Sequence, residues 1–455
     1  MRHGRIMELI RRSAGALLVL GGVAASSDTL TFAQDASCAK PAPACQPQCS
    51  DEIYKKAGER LAQQLQQMGC NQSAPGCAAP GACTNGNVGC GGLPGCEEEK
   101  KDPWTLMSLF DDDCGNNGLK DKGITIGGWL QMGYQNNPDG SFTGNGGFAS
   151  EPGEWDKLNI NQLYLYVAKV ADGSEGVGFG YRADIMYGVD GNDAQSFGET
   201  PFKHWDVQPG FDHGAYEWAL PQLYAEVASG NLSVKLGHFY TPIGYEVVTS
   251  PDNFFFSKQI NFYNSEPFTH TGALATYKVN DKLSLLGGWT LGWDTGFYQF
   301  NGGSNVIFGG TYAATENTTL TYAAASGNFG LRGDGSIHSF ILSQKWGEKL
   351  MTVHQIDALN TNSGTTLHGA ALQTEDSTAM INYAFYQLSD KLKAGVRQEW
   401  YKADGISYNT FTYGVNYNVT SNVVVRPEMR HNWSNGNDVS PWNEDIFGID
   451  AIFKF

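Results

Sequence analysis

The sequence predicts an all-β fold, a transmembrane antiparallel β-barrel of about 16 strands preceded by an N-terminal Cys-rich extension. Three observations carry this. From Gly123 onward, segments with period-two alternation recur between turn residues, as half-exposed strands require. Seven connections are short ("ADGSE", "SGN", "VNDK", "ATENT", "WGEK", "LSDK", "VTSN") and alternate with mostly longer ones (135–156, 189–215, 241–267, 359–375). Tight turns on one rim and long loops on the other is the pattern of a membrane barrel; a soluble sandwich does not sort its loops by parity. Finally, the run "EDIFGIDAIFKF" (444–455) alternates Phe447, Ile449, Ala451, Phe453 and Phe455 with smaller or polar residues, the pattern of a closing strand.

Taken in order, residues 1–33 read as a secretory signal peptide. Arg2, Arg5, Arg11 and Arg12 precede the apolar run 14–25, and Thr31 and Ala33 supply the small residues of a cleavage site. The run is too short to span a bilayer as a helix. Residues 34–122 form the extension. All nine cysteines (Cys38, Cys45, Cys49, Cys70, Cys77, Cys83, Cys90, Cys96 and Cys114) lie within it, five of them spaced seven, six, seven and six apart. In a Gly/Pro-rich stretch of an exported chain these read as disulfide candidates, with metal binding the rival; no CxxC pair supports the rival. Within the extension, 50–68 reads as one short helix capped by Ser50, with Ile53, Ala57, Leu61 and Leu65 on one stripe: a contact helix or a spacer.

Strands are expected at 123–134, 157–170, 176–188, 216–228, 231–240, 268–279, 282–294, 304–315, 318–327, 336–346, 349–358, 376–388, 391–402, 407–418, 422–434 and 444–455. In 422–434, Val423, Val425, Met429 and Trp433 alternate with Arg426, Glu428, Arg430 and Asn432. In 176–188, Val177, Phe179, Tyr181, Ala183, Ile185 and Tyr187 alternate with Gly178, Gly180, Arg182 and Asp184. One face suits lipid and the other water.

The formal charge of −17 argues against nucleic acid as a partner, since phosphates would be repelled. Catalysis finds no Ser/His/Asp spacing or metal-ligand cluster: His238, His270, His354 and His431 are scattered. "VDGND" (189–193) and "NGND" (435–438) read as turn chemistry, lacking the closing Glu of a twelve-residue calcium loop. No cofactor is expected.

The most distinctive run is 237–305. Its stretches "FYTPIGYE", "SPDNFF", "EPFTHTG" and "GGWTLGWDTGF" resemble the OmpL-like β-barrel porin-2 family, and the strand pattern extends the resemblance over about 123–455. The Cys-rich extension lies outside it. The resemblance implies an outer-membrane barrel of a diderm bacterium, with lipid and the barrel assembly machinery as partners; the alternation ending in Phe455 would be the assembly signal. A homotrimer follows only by analogy with porins of this size.

The 241–267 connection is unusually apolar and holds Pro242, Pro251 and Pro267. It reads either as a constriction loop folded into the barrel, built from Tyr240, Tyr245, Glu246, Asp252, Phe254, Phe255, Phe256 and Lys258, or as a loop packed on the rim or a neighbour. Candidate pore-lining charges are Arg182, Asp184, Lys235, Lys393, Arg397, Glu399, Arg426, Glu428 and Arg430; they would set ion selectivity or merely pair across the wall. The expected function is passive diffusion of small hydrophilic solutes or ions, not enzymatic. The alternative is a non-conducting barrel anchored to the envelope by its disulfide-rich extension.

Overall fold

β-Branched and aromatic residues at alternate positions, cut off by Gly/Asn/Asp turns, yield long strands that hydrogen-bond edge to edge until no edge is left. The computed structural model describes residues 104–111, 117–136, 156–200, 203–206, 216–362, 375–403, 405–434 and 443–455. The signal peptide, all nine cysteines, the 50–68 helix and the "NGND" turn lie outside these residues. The strands are β1 (Ile124–Gln135), β2 (Leu158–Lys169), β3 (Val177–Gly188), β4 (Phe197–Thr200), β5 (Lys203–His204), β6 (Glu217–Ser229), β7 (Leu232–Tyr240), β8 (Thr269–Lys278) and β9 (Leu283–Thr290). They continue with β10 (Ser304–Ala313), β11 (Thr318–Asn328), β12 (Asp334–Trp346), β13 (Leu350–Thr361), β14 (Asp376–Ser389), β15 (Leu392–Ala403), β16 (Ile406–Asn418), β17 (Val423–Ser434) and β18 (Asn443–Lys454).

Sixteen of them close into one antiparallel barrel in the order β1-β18-β17-β16-β15-β14-β13-β12-β11-β10-β9-β8-β7-β6-β3-β2; β4 and β5 form a separate hairpin between β3 and β6. Closure is made by β1 against β18, from Trp129↔Lys454 to Gln135↔Gly448, and Phe455 exchanges two backbone hydrogen bonds of 2.9 Å with Gly128. Beyond that pairing, the Ile126 N–H is taken by the Met107 thioether at 3.1 Å, in the short 3₁₀ turn Leu106–Phe110. The carbonyl of Trp104 accepts from Asn422 in the β16–β17 turn. The segment ahead of the barrel thus covers the seam at the short-turn rim.

The two faces separate by exposure. On β3, Val177 and Phe179 are exposed while Gly180, Asp184 and Met186 are buried; on β18, Phe447 and Phe453 are exposed while Ile446, Asp450 and Ile452 are buried. Phe447, Ile449, Ala451 and Phe453 therefore point outward. The inner face is less polar than the alternation implied. On β14 the inward residues are Ala379, Ile381, Tyr383 and Phe385, which join Val353, Tyr401, Tyr408 and Phe255 in one apolar cluster. They need not face water because protein fills the space beside them. The largest shortening is in β9, which stops at Thr290. Gly292 turns the chain at a φ of +128°, and the Asp294 carboxylate accepts from the Phe268 and Thr269 N–H groups at 2.7 and 2.8 Å. "VDGND" forms one helical turn, Val189–Ala194, whose Asp190 accepts from Asn161 and Gln162.

Candidate functional site

The filling protein is the 241–267 connection between β7 and β8. Its prolines and aromatic rings disfavour both a solvated loop and a regular strand. The chain turns inward, makes a short 3₁₀ turn at Ser250–Asp252 and a helical turn at Ile260–Ser265, and every residue of that second turn is buried. A short irregular segment inside a barrel leaves backbone N–H and C=O groups without a ladder, and each must find a partner. The inward charges of the wall are those partners.

Glu428 accepts from the N–H groups of Phe256 and Ser257 at 2.8 and 3.0 Å. Glu399 accepts from those of Ile260 and Asn261, both at 2.8 Å, at the start of the helical turn. Arg397 donates to the Ser257 carbonyl at 2.8 Å and to Glu246 at 2.6 Å. Arg430 donates to the Lys258 carbonyl at 2.7 Å. Arg426 donates to the carbonyls of Ser250 and Asn253 at 3.0 and 2.7 Å while its Nε holds Asp450 at 2.9 Å. Asp184 is met by Tyr164, Gln222 and Arg182. Asp184, Arg397, Glu399, Arg426, Glu428 and Arg430 face inward, yet all six are buried. They do not form a water-facing ring. The inserted loop covers the five on β15 and β17, whose bonds to it run mostly to its backbone, while Asp184 is held by wall residues.

Arg182, Lys235 and Lys393 differ. Arg182 keeps a quarter of its side-chain surface, and Lys235 and Lys393 are part-exposed. Each stands over a ring: Arg182 over Tyr166 at 4.9 Å, Lys235 over Tyr224 at 4.9 Å, Lys393 over Phe385 at 5.0 Å.

The residues expected at the constriction divide between anchors and packing. Tyr240 bonds Tyr164 at 3.0 Å; Tyr245 packs on Tyr383 with ring centroids 5.0 Å apart. Asp252 accepts from Thr249 at 2.6 Å, and the Lys258 ammonium donates to the Val247 carbonyl at 2.7 Å. Phe254 meets Phe255 and Phe385 at 4.8 and 4.9 Å. Two wall glycines make room for the rings. A Cβ on Gly395 would stand 2.4 Å from Phe254, and one on Gly133 would stand 2.4 Å from Phe256.

Residues not expected from the sequence complete the seat, mostly neutral amides. Gln131 and Gln162 bind Ser250, Gln355 binds the Tyr245 N–H and Gln259, and the Asn261 amide bridges Glu266 and Asp357 at 2.6 Å to each. Inward position in the alternation was their one available signal. His238 is sealed between Ser196 and Thr271, at 3.1 and 2.7 Å. Among the described residues no group of three His, Cys, Asp or Glu converges on a metal-sized site.

Two loop groups carry displaced proton affinities. Burial, then the neighbouring Asp357, pushes the Glu266 carboxyl well above its ordinary range. Burial lowers the Lys258 ammonium to about 8 against the pull of Glu246 and Asp190. For Glu266 the folded state holds the proton more tightly than the unfolded chain, so its contribution is complete at acid pH and is lost as pH rises through the raised value. Lys258 acts with the opposite sign, in the alkaline range between its lowered and ordinary values. The seat of the Ile260–Glu266 end should therefore loosen as pH is raised from the acid side. Protease accessibility of the loop across that range should increase in the native protein and stay flat in Glu266→Gln.

A closed sixteen-strand barrel with one connection folded inside has the architecture of an outer-membrane porin. The comparisons give the family. The chain belongs to the family described as "Putative beta-barrel porin-2, OmpL-like", whose model matches residues 123–455. Among solved structures, the outer membrane channel DcaP of Acinetobacter baumannii is similar at a TM-score of 0.51 and 11% identity, over 73% of this chain and 97% of that one. The anion-selective porin from Comamonas acidovorans gives 0.49 and 10%, over 73% and 99%. At these identities the likeness concerns the fold alone. A search of curated proteins returns no match.

Proposed function

We propose that the protein is a passive outer-membrane porin for small hydrophilic solutes or ions, its passage narrowed by the 241–267 loop. The observation that carries this is the loop itself: a membrane barrel of this size encloses space for water, and here a single connection held to opposite walls decides how much of it stays open. Membership of a porin family supports the same reading. In this reading the outward aromatic residues meet lipid, the Phe447–Phe455 alternation is read during assembly, and the short-turn rim with the Cys-rich extension faces the periplasm. Disulfides in that extension and a homotrimer belong to the same proposal.

The density of anchoring favours one second reading, a barrel that the loop closes to flow. Incorporation of the purified protein into planar bilayers separates the two. Stepwise open-pore currents are expected; their complete absence would overturn the porin reading in favour of the closed barrel.

A further inference from the structure

The charges that water can reach on the inner wall are only part of the set expected from the sequence, and differ from it in balance. The buried set is mixed: Arg397, Arg426 and Arg430 stand with Asp184, Glu399, Glu428 and Asp450, and their hydrogen bonds are made within the protein. In the half of the barrel nearer the short turns, inward side chains keep some exposure. Among the described residues the charged ones are Arg182 on β3, Lys235 on β7, Lys278 on β8 (paired with Asp281 in the turn), Lys345 on β12, Lys393 on β15 and Lys454 on β18, with Glu226 on β6 and Asp252 in the loop as the carboxylates. Inward direction follows from the alternation. Lys345 shares a face with buried Ile337, Ser339 and Ile341, and Lys454 with buried Asp450 and Ile452. Lys235 lies directly across from Glu226, one strand away.

Their distribution around the wall matters as much as their number. In the closed order, β7 and β15 stand on diametrically opposite sides, and β3, β12 and β18 lie between them around the circuit. The cations therefore encircle the opening, whereas Glu226 stands across from Lys235 and Asp252 lies in the loop beside the Ser250 anchor to β1, β2 and β17. A ring of one sign lowers the energy of the opposite ion wherever it crosses the mouth, and Lys/Arg rings serve anion pores. The chain as a whole carries −17, so nothing in its overall charge foretells this.

We infer that the passage prefers anions, and that the selecting groups are the cations ringing the short-turn mouth, with Lys235, Lys345 and Lys393 foremost. Arg426 and Arg430 act instead as loop anchors. This rests on the porin reading above. The ligand class is a small hydrated anion, inorganic or carboxylate. Such ions need only the field of the girdle, and the rings beneath Arg182, Lys235 and Lys393 steady the side chains that make it.

The test is the reversal potential of the full-length protein in planar bilayers across a potassium chloride gradient. In the native protein its sign should report chloride as the more permeant ion. The preference should shrink as salt is raised, because the screening length falls from about 10 Å at 0.1 M to about 3 Å at 1 M. The K235E/K345E/K393E variant should shift the potential toward cation preference. Glu226→Gln, which removes one of the two accessible carboxylates and disturbs little packing, should move it further toward anions. Open-pore current with potassium preferred in the native protein, or anion preference unmoved by both variants, would overturn the inference while leaving the porin reading intact. Absence of any current would instead overturn that reading, and this inference with it. Should the triple variant fail to assemble, the native potential and Glu226→Gln decide.

Discussion

Replacing Glu399 and Glu428 together with alanine should raise single-channel conductance several-fold and make the open level noisy. Four backbone N–H groups of the loop, those of Phe256, Ser257, Ile260 and Asn261, end on these two carboxylates. A hydrogen bond to a charged group contributes about 1.5–3 kcal/mol, and a buried donor left without a partner costs about 1–3 kcal/mol. Losing four such bonds outweighs the grip of Phe254 and Phe256 in their glycine-made recesses, so the middle of the loop should leave the wall. The barrel itself should survive, because its ladder does not pass through these side chains. Conductance unchanged from the native protein, in a variant that still forms a heat-modifiable barrel, would refute the loop as the constriction.

Removing Arg397 should do more harm than removing its partner. Arg397→Met leaves the Glu246 carboxylate buried, with Tyr383 at 3.0 Å and the Gln259 N–H at 2.8 Å but no cation bonded to it, Lys258 remaining only in its neighbourhood. Breaking one side of a buried pair costs about 3–5 kcal/mol. The expected result is a clear fall in the temperature at which the folded species disappears on a gel. Adding Glu246→Gln should return much of that loss, since the charge is then gone from both sides. A double mutant no more stable than Arg397→Met would show that packing of the guanidinium over Phe255, at 5.1 Å, matters more than its charge.

Much of the wall was legible because a strand in a membrane barrel declares itself locally. Val423, Val425 and Met429 against Arg426, Glu428 and Arg430 needs no knowledge of distant residues, and neither does a turn such as "VNDK". The 241–267 segment was legible as unusual, since six rings and three prolines do not suit a solvated loop. Whether it folded in or lay on the rim was not legible. That outcome depends on Glu428 reaching Phe256 and on Glu399 reaching Ile260, contacts made across long stretches of chain. For the same reason a charge at an inward position could be recognised as inward but not as wet or dry. In "TAMINYAFYQL" both faces of the strand are largely apolar, so the alternation could not tell which face met lipid and which met the rings of the loop.

The site of Ser250 bears on how the molecule comes together in time. Its hydroxyl reaches Gln131 on β1, its N–H reaches Gln162 on β2, and its carbonyl receives Arg426 from β17, which itself grips Asp450 on β18. One residue from the middle of the chain thus fastens the joint between the earliest and the latest strands from within. During synthesis that residue emerges long before β17 and β18 exist, and pairings so distant in sequence form slowly. The loop cannot settle until the circle is nearly complete, and once settled it opposes reopening. Closing and narrowing are then a single late step, and a barrel arrested before it would be both unlatched and unobstructed.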